Sequence, residues 1–177
     1  MNLRNFEFKA RADNIEKSEN LLLTLNPEFK GIDHQTDTYF NVEHGRLKLR
    51  EGNIENSLIN YEREDYAGAK ESRVILYRHT PDVSLKEILT KQLGVKVVVK
   101  KKRRIYFVEN VKIHFDQVEH LGTFIEVEAI DEKGTFTTDE LKEQCNRFFN
   151  FFGLEKEDII AKSYSDMIWE KNNKKLM

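Results

Sequence analysis

The sequence predicts an α+β fold in which about eight antiparallel strands, flanked by helices, can curl into a barrel. Three observations carry this. Short segments that alternate polar and apolar side chains recur from "RNFEFKARA" at residues 4–12 to "LGTFIEVEAID" at 121–131. Only three long segments show helical spacing. In four of the strands one face collects charged side chains while the other is apolar.

Residues 3–11 alternate as the first strand. "DNIEKSENLLLTLN" then predicts a helix, with Asp13 as its N-cap and Ile15, Leu22 and Leu25 at helical spacing. "HQTDTYFNV", "GRLKLRE", "SLINYERE" and "ESRVILYRH" read as strands two to five, a meander with Gly or Asn near several joins. After Pro81, "DVSLKEILTKQLG" predicts the second helix, capped by Asp82, carrying Leu85, Ile88, Leu89 and Leu93 at helical spacing, and stopped by Gly94. "VKVVVKKKRRIYFVE", "VKIHFDQVE" and "LGTFIEVEAID" complete the strands. Thr138 caps "DELKEQCNRFFNFFG", whose Leu141, Cys145, Phe148, Phe149 and Phe152 form the stripe of a docked helix rather than a ligand box. A single domain over 1–177, with a frayed end at 170–177, is the economical reading.

Composition narrows the function. A chain of 177 residues buries roughly 70% of its unfolded surface, so a real core forms without staples. Lys and Arg number 29 against 31 Asp and Glu, a net charge of -2, which argues against a general polyanion binder. The single Cys145 excludes an intramolecular disulfide and a Cys-based zinc site, and points to a reducing, cytoplasmic setting. No apolar stretch is long enough to span a bilayer, and "MNLRNFEFKA" lacks the apolar core of a signal peptide. The histidines show no HxxxH spacing, and no GxSxG nucleophile motif is present. "GRLKLREGN" has too few glycines for a phosphate-cradling loop, so phosphate recognition would use side chains.

The charged rows admit two arrangements. Asn5, Glu7, Lys9 and Arg11 oppose Phe6, Phe8 and Ala10; Arg46, Lys48 and Arg50 oppose Leu47 and Leu49; Lys112, His114 and Asp116 oppose Ile113 and Phe115; Glu126 and Glu128 oppose Ile125, Val127 and Ala129. On an open sheet these rows simply meet water. Inside a barrel they need both a cation and an anion, because buried charge is costly unless paired. A metal–polyphosphate complex supplies both. Glu7, Asp116, Glu126 and Glu128 are hard oxygen donors suited to Mg²⁺ or Mn²⁺. Lys9, Lys48, Arg50, Lys101 and Arg103 would hold the remaining phosphate charge. The basic run "KKKRR" at 100–104 is also a nucleic-acid signal, but alternation splits it between two faces and no aromatic stacking motif accompanies it.

With these residues in place, the chain resembles the CYTH superfamily, the triphosphate tunnel metalloenzymes, and within it the class IV adenylate cyclase branch. The resemblance runs through "NFEFK", "TDTYF", "GRLKLRE", "KKRRIYFV", "IHFDQVEHLGTFIEVEA" and "KSYSDMI". It implies an antiparallel eight-stranded β-barrel, a triphosphate tunnel, with flanking helices and bound Mg²⁺ or Mn²⁺. It implies metal binding by Glu7, Glu126 and Glu128, triphosphate binding by Lys9, Lys48, Arg50, Arg63, Lys101, Arg103 and Lys162, and catalytic roles for Glu7, Lys9 and Asp116. The activity it implies is conversion of ATP to cyclic AMP and pyrophosphate. Hydrolysis of an organic or inorganic triphosphate is the alternative, and a non-catalytic triphosphate or nucleic-acid binding module a further one. Exposed strands and helices are compatible with a homodimer. The chain departs from the family at Asn5, which stands where the signature has its first Glu and brings an amide oxygen without charge.

Overall fold

A computed structural model of the protein describes residues 2–62 and 70–174. Its strands are β1 (Asn2–Arg11), β2 (Glu28–Phe40), β3 (Arg46–Glu51), β4 (Ser57–Glu62), β5 (Lys70–Arg78), β6 (Val95–Val108), β7 (Val111–Val118) and β8 (Gly122–Asp131). They close in the order β1-β5-β4-β3-β2-β6-β7-β8, every pair antiparallel, with β8 returning to β1. Glu7, Lys9, Lys48, Arg50, Glu126 and Glu128 therefore point into the closed barrel, while parts of its outer face, such as that of β6, meet water. The helices are α1 (Ile15–Leu23), α2 (Val83–Leu93), α3 (Thr138–Phe151) and α4 (Tyr164–Lys174).

The core has two parts. Outside the barrel wall, Phe6, Phe8 and Ala10 of β1 join Ile113, Phe115, Ile125 and Val127 beneath Ile15 and Leu22 of α1 and Leu141, Cys145 and Phe148 of α3. Each of these strand residues lies on the face opposite a charged row, so apolar burial outside the wall fixes which charges point inward. Inside the wall, Tyr39, Tyr61, Val99 and Phe124 pack with Tyr164 and Ile168 of α4, which closes one end of the barrel with apolar side chains.

Several boundaries differ from the sequence expectation. Asn14 rather than Asp13 caps α1, its side chain accepting from the Lys17 backbone N–H at 2.9 Å. Thr137 rather than Thr138 caps α3, in a reciprocal capping box with Glu140. β2 begins six residues before "HQTDTYFNV", because a bulge between Phe29 and Gly31 carries the pairing past an interrupted alternation. α4 was not expected: only Tyr164, Ser165 and Ile168 are buried along it, too sparse a stripe to register as a periodic signal. It runs through Lys174, well into the stretch read as frayed.

Candidate functional site

Inside the barrel lies a cavity of about 450 Å³. Asn5, Glu7 and Lys9 of β1, Lys48 and Arg50 of β3, Lys101 and Arg103 of β6, and Glu126 and Glu128 of β8 all line it. Glu7, Glu126 and Glu128 lie on adjacent strands, with Glu7 opposite Glu128 and Lys9 opposite Glu126. Lys48 and Arg50 face Tyr39 and Asp37 on the neighbouring β2. An acidic wall and a basic wall thus enclose the same space.

The cations are held by internal counter-ions. Asp37, 1% exposed, takes two hydrogen bonds from Arg50 at 2.8 and 2.9 Å and one from Lys101 at 2.7 Å, with Lys48 Nζ at 3.5 Å. Burial pushes its carboxyl up, but Arg50, Lys101 and Lys48 overcome that and hold it well below the ordinary carboxylate range. Arg103 donates to both oxygens of Asp116, at 2.7 and 2.5 Å, and to Glu126, which also pairs with Lys9 at 3.0 Å. Lys9 stands 4.1 Å from the centroid of the Tyr164 ring.

Glu55, in the loop between β3 and β4, pairs with Arg50 at 3.1 Å and with Lys112. That loop is pinned by Asp33, whose carboxylate accepts the Ile54 and Glu55 backbone N–H groups at 2.9 Å each. Gly52 is required there, since a Cβ would come within 2.5 Å of an Asp33 oxygen.

Lys101 shows how finely the cations are balanced. Burial lowers its pKa to about 7, with Asp37 pulling the other way and Arg50 and Arg103 adding to the fall. An incoming polyanion favours the charged amine and raises that value. Binding therefore takes up a proton above pH 7, and affinity for tripolyphosphate is expected to be flat below about pH 7 and to fall by up to about ten-fold per unit above it. Calorimetric titrations between pH 6 and 9 check this; a flat profile across that range would remove Lys101 from the binding set.

Two expected site residues are placed differently, and a third falls outside the described residues. Lys162 is exposed and paired with Glu170 at 2.6 Å, because Ser163 accepts the Asp166 N–H and starts α4, turning Ser163 and Tyr164 rather than Lys162 toward the cavity. Asp116 is fully buried behind Arg103 and accepts the Tyr164 hydroxyl at 2.9 Å, so it positions other side chains and does not itself line the cavity. Arg63 lies outside the described residues. The outer half of "KKKRR" faces away from the cavity, with Arg104 paired to Glu19 at 2.7 Å. Asp37, Glu55, Ser163 and Tyr164 complete the site without having been singled out in the sequence. Alternation in "HQTDTYFNV" groups Asp37 with Gln35 and Tyr39 and could have marked it.

The donor set fits a divalent cation. Glu126, Glu128 and His114 each offer an atom within 4.8 Å of the others. Burial, with Glu7 and Glu126 beside it, pushes the Glu128 carboxyl up against the pull of Lys112, so Glu128 itself is short of positive charge. His114 is fully buried and held neutral, its pKa pushed down to about 3 by burial and then by Arg103 and Lys112. Asn5 Oδ1, 5% exposed as a residue, has no hydrogen-bond partner among the described residues. Cys145 plays no part: its Sγ donates to the Phe6 carbonyl beneath α3, and burial pushes the thiol up to about 12. Among the described residues no helix is long and apolar enough to cross a membrane.

Comparison with known proteins agrees with this geometry. The CYTH domain family matches residues 3–164. A Methanocaldococcus jannaschii protein named "Putative adenylate cyclase MJ0240" is 28% identical over 181 aligned positions, covering 91% of this chain and 96% of that one. The PH1012 protein of Pyrococcus horikoshii is 26% identical, with a TM-score of 0.78 over 92% of this chain and 98% of that one. The same fold recurs at 13% identity and a TM-score of 0.62, over 97% of this chain and 96% of that one, in a Hippeastrum protein named "Putative adenylyl cyclase" and described as revealing a dominant triphosphatase activity.

Proposed function

From the premise that the chain belongs to the CYTH domain family, we propose that it is a divalent-metal-dependent, cytoplasmic enzyme that converts ATP to cyclic AMP and pyrophosphate. The observation that carries this reading is the cavity of a closed barrel in which carboxylates of β1 and β8 face cations of β3 and β6. Its volume, about 450 Å³, suits a nucleotide-sized ligand. The cyclase product is favoured by the name carried by the 28% identical relative.

In this reading Lys48, Arg50 and Lys101 give up part of their hold on Asp37 to take the β- and γ-phosphates, and Lys112 shares itself between Glu55 and substrate. Lys9 and Arg103, kept upright by Glu126 and Asp116, neutralise charge that develops on the leaving pyrophosphate. Glu7, Glu126 and Glu128 would hold Mg²⁺ or Mn²⁺, which when bound withdraws charge from the phosphate under attack. The ribose 3′ oxygen bonds to the α-phosphorus as the bond to the bridging oxygen breaks, releasing pyrophosphate and one proton. Asp116 acts through Arg103 and Tyr164, as a positioning residue.

The same wall would also hold tripolyphosphate or thiamine triphosphate for attack by water, so the products decide. Purified protein with Mn²⁺ or Mg²⁺ and ATP is expected to yield cyclic AMP and pyrophosphate in equal amounts. Orthophosphate from ATP, thiamine triphosphate or tripolyphosphate would make the protein a triphosphatase. Turnover of none of them would leave a binding module.

A further inference from the structure

We propose that His114 is itself a metal ligand, its Nδ1 joining Glu126 and Glu128 in a mixed nitrogen–oxygen site that favours a transition-metal cation over Mg²⁺. The inference rests on the metal-dependent reading of this cavity. His114 stands directly opposite Glu126 on the β7–β8 ladder, and its ring is fully buried. Nδ1 lies 3.6 Å from Glu126 Oε2 and 3.7 Å from Glu128 Oε1. Those distances are beyond hydrogen-bond reach, and neither ring nitrogen has a hydrogen-bond partner among the described residues.

A buried imidazole left unpaired is costly, and here it is aimed between two carboxylates. Two ligands bonded at about 2.1 Å to one ion, at angles of 90–120°, stand roughly 3.0–3.6 Å apart. The observed separations are therefore close to those of a shared ion, whereas a hydrogen-bonded pair would sit nearer 2.8 Å. The choice of metal follows from ligand type. Mg²⁺ takes oxygen ligands and depends on their charge, and Asn5, which lines the cavity beside these acids, offers a neutral amide rather than a carboxylate. A neutral imidazole adds a donor without adding charge, which compensates a transition-metal cation and does little for Mg²⁺.

The test uses the intact protein and Mn²⁺ as the probe. Mn²⁺ binding is followed by the electron paramagnetic resonance of the free ion, with Mg²⁺ as competitor, and the bound ion is examined by electron spin-echo envelope modulation. Nitrogen coupling from a directly bound imidazole is expected in the wild type and absent in His114→Leu. The same substitution should raise the Mn²⁺ dissociation constant by about ten-fold or more, with far less effect on Mg²⁺. Bound Mn²⁺ without nitrogen coupling, or His114→Leu protein that binds Mn²⁺ as tightly as wild type, overturns the assignment. If that ion is nonetheless lost on Glu126→Gln, Glu128→Gln substitution, the metal-dependent reading stands without His114. No Mn²⁺ bound by the wild type overturns both. Should His114→Leu fail to fold, the nitrogen coupling of the wild type decides alone.

Discussion

Glu126→Gln, Glu128→Gln protein is expected to lose metal-dependent turnover by about a thousand-fold or more while remaining folded. The two acids contribute differently. Burial alone would raise the Glu126 carboxyl, but Lys9 and Arg103 hold it well below its ordinary range, so it is an anion in the metal-free protein. Glu128 is pushed up by burial and by Glu7 and Glu126. A carboxyl whose folded pKa exceeds its unfolded one contributes stability below the unfolded value and loses it as pH rises through the folded value. Glu128 therefore costs stability at neutral pH in the metal-free protein, and Glu128→Gln alone should raise the melting temperature slightly while lowering turnover. Glu126→Gln should lower the melting temperature, since Lys9 loses its 3.0 Å partner, although Arg103 keeps Asp116. Melting curves without metal and product rates with Mn²⁺ measure these effects separately. Turnover that survives the double substitution would place the metal elsewhere.

How much of this was legible depends on whether a residue's role is set by its own strand or by closure. The inward direction of Glu7, Lys9, Lys48, Arg50, Glu126 and Glu128 follows from alternation against apolar neighbours, which β1, β3 and β8 each carry within a few residues, whereas Lys101 and Arg103 alternate with other basic residues and only the closed barrel shows which half of that run faces in. That these rows face a cavity rather than water required counting strands, and closure through β1 and β8 bears it out. Asp37 was harder. Its partners are Lys101, 64 positions away, and Arg50, 13 positions away, and the three meet only after β2 has paired with both β3 and β6. Glu55 sits on a loop without periodicity, aimed by the buried carboxylate of Asp33. Lys162 shows the reverse: a matching motif position is not a geometry, and in this structure Ser163, capping α4, and Tyr164 face the cavity while Lys162 pairs with Glu170.

Asp37→Asn protein is expected to be less stable without ligand, by about 3–5 kcal/mol, yet to gain more than wild type from added tripolyphosphate. Asp37 is the shared counter-ion of Lys48, Arg50 and Lys101, and its removal leaves like charges together in a buried space. Part of the cost is avoidable, because Lys101 already titrates near pH 7 and sheds its proton more readily once Asp37 is gone. The deficit should accordingly be larger at pH 6 than at pH 9. In the proposed reading polyphosphate and Asp37 compete for the same three cations, so a ligand that binds wild type must first displace an internal carboxylate, whereas in Asp37→Asn it meets cations already freed. By linkage, tighter binding at a fixed ligand concentration appears as a larger rise in melting temperature. Thermal melts with and without tripolyphosphate at both pH values read the two effects together. A variant that melts early and gains no more than wild type would make Asp37 a support of the wall rather than a competitor for the site. A variant with unchanged stability would mean that Lys48, Arg50 and Lys101 have no need of it.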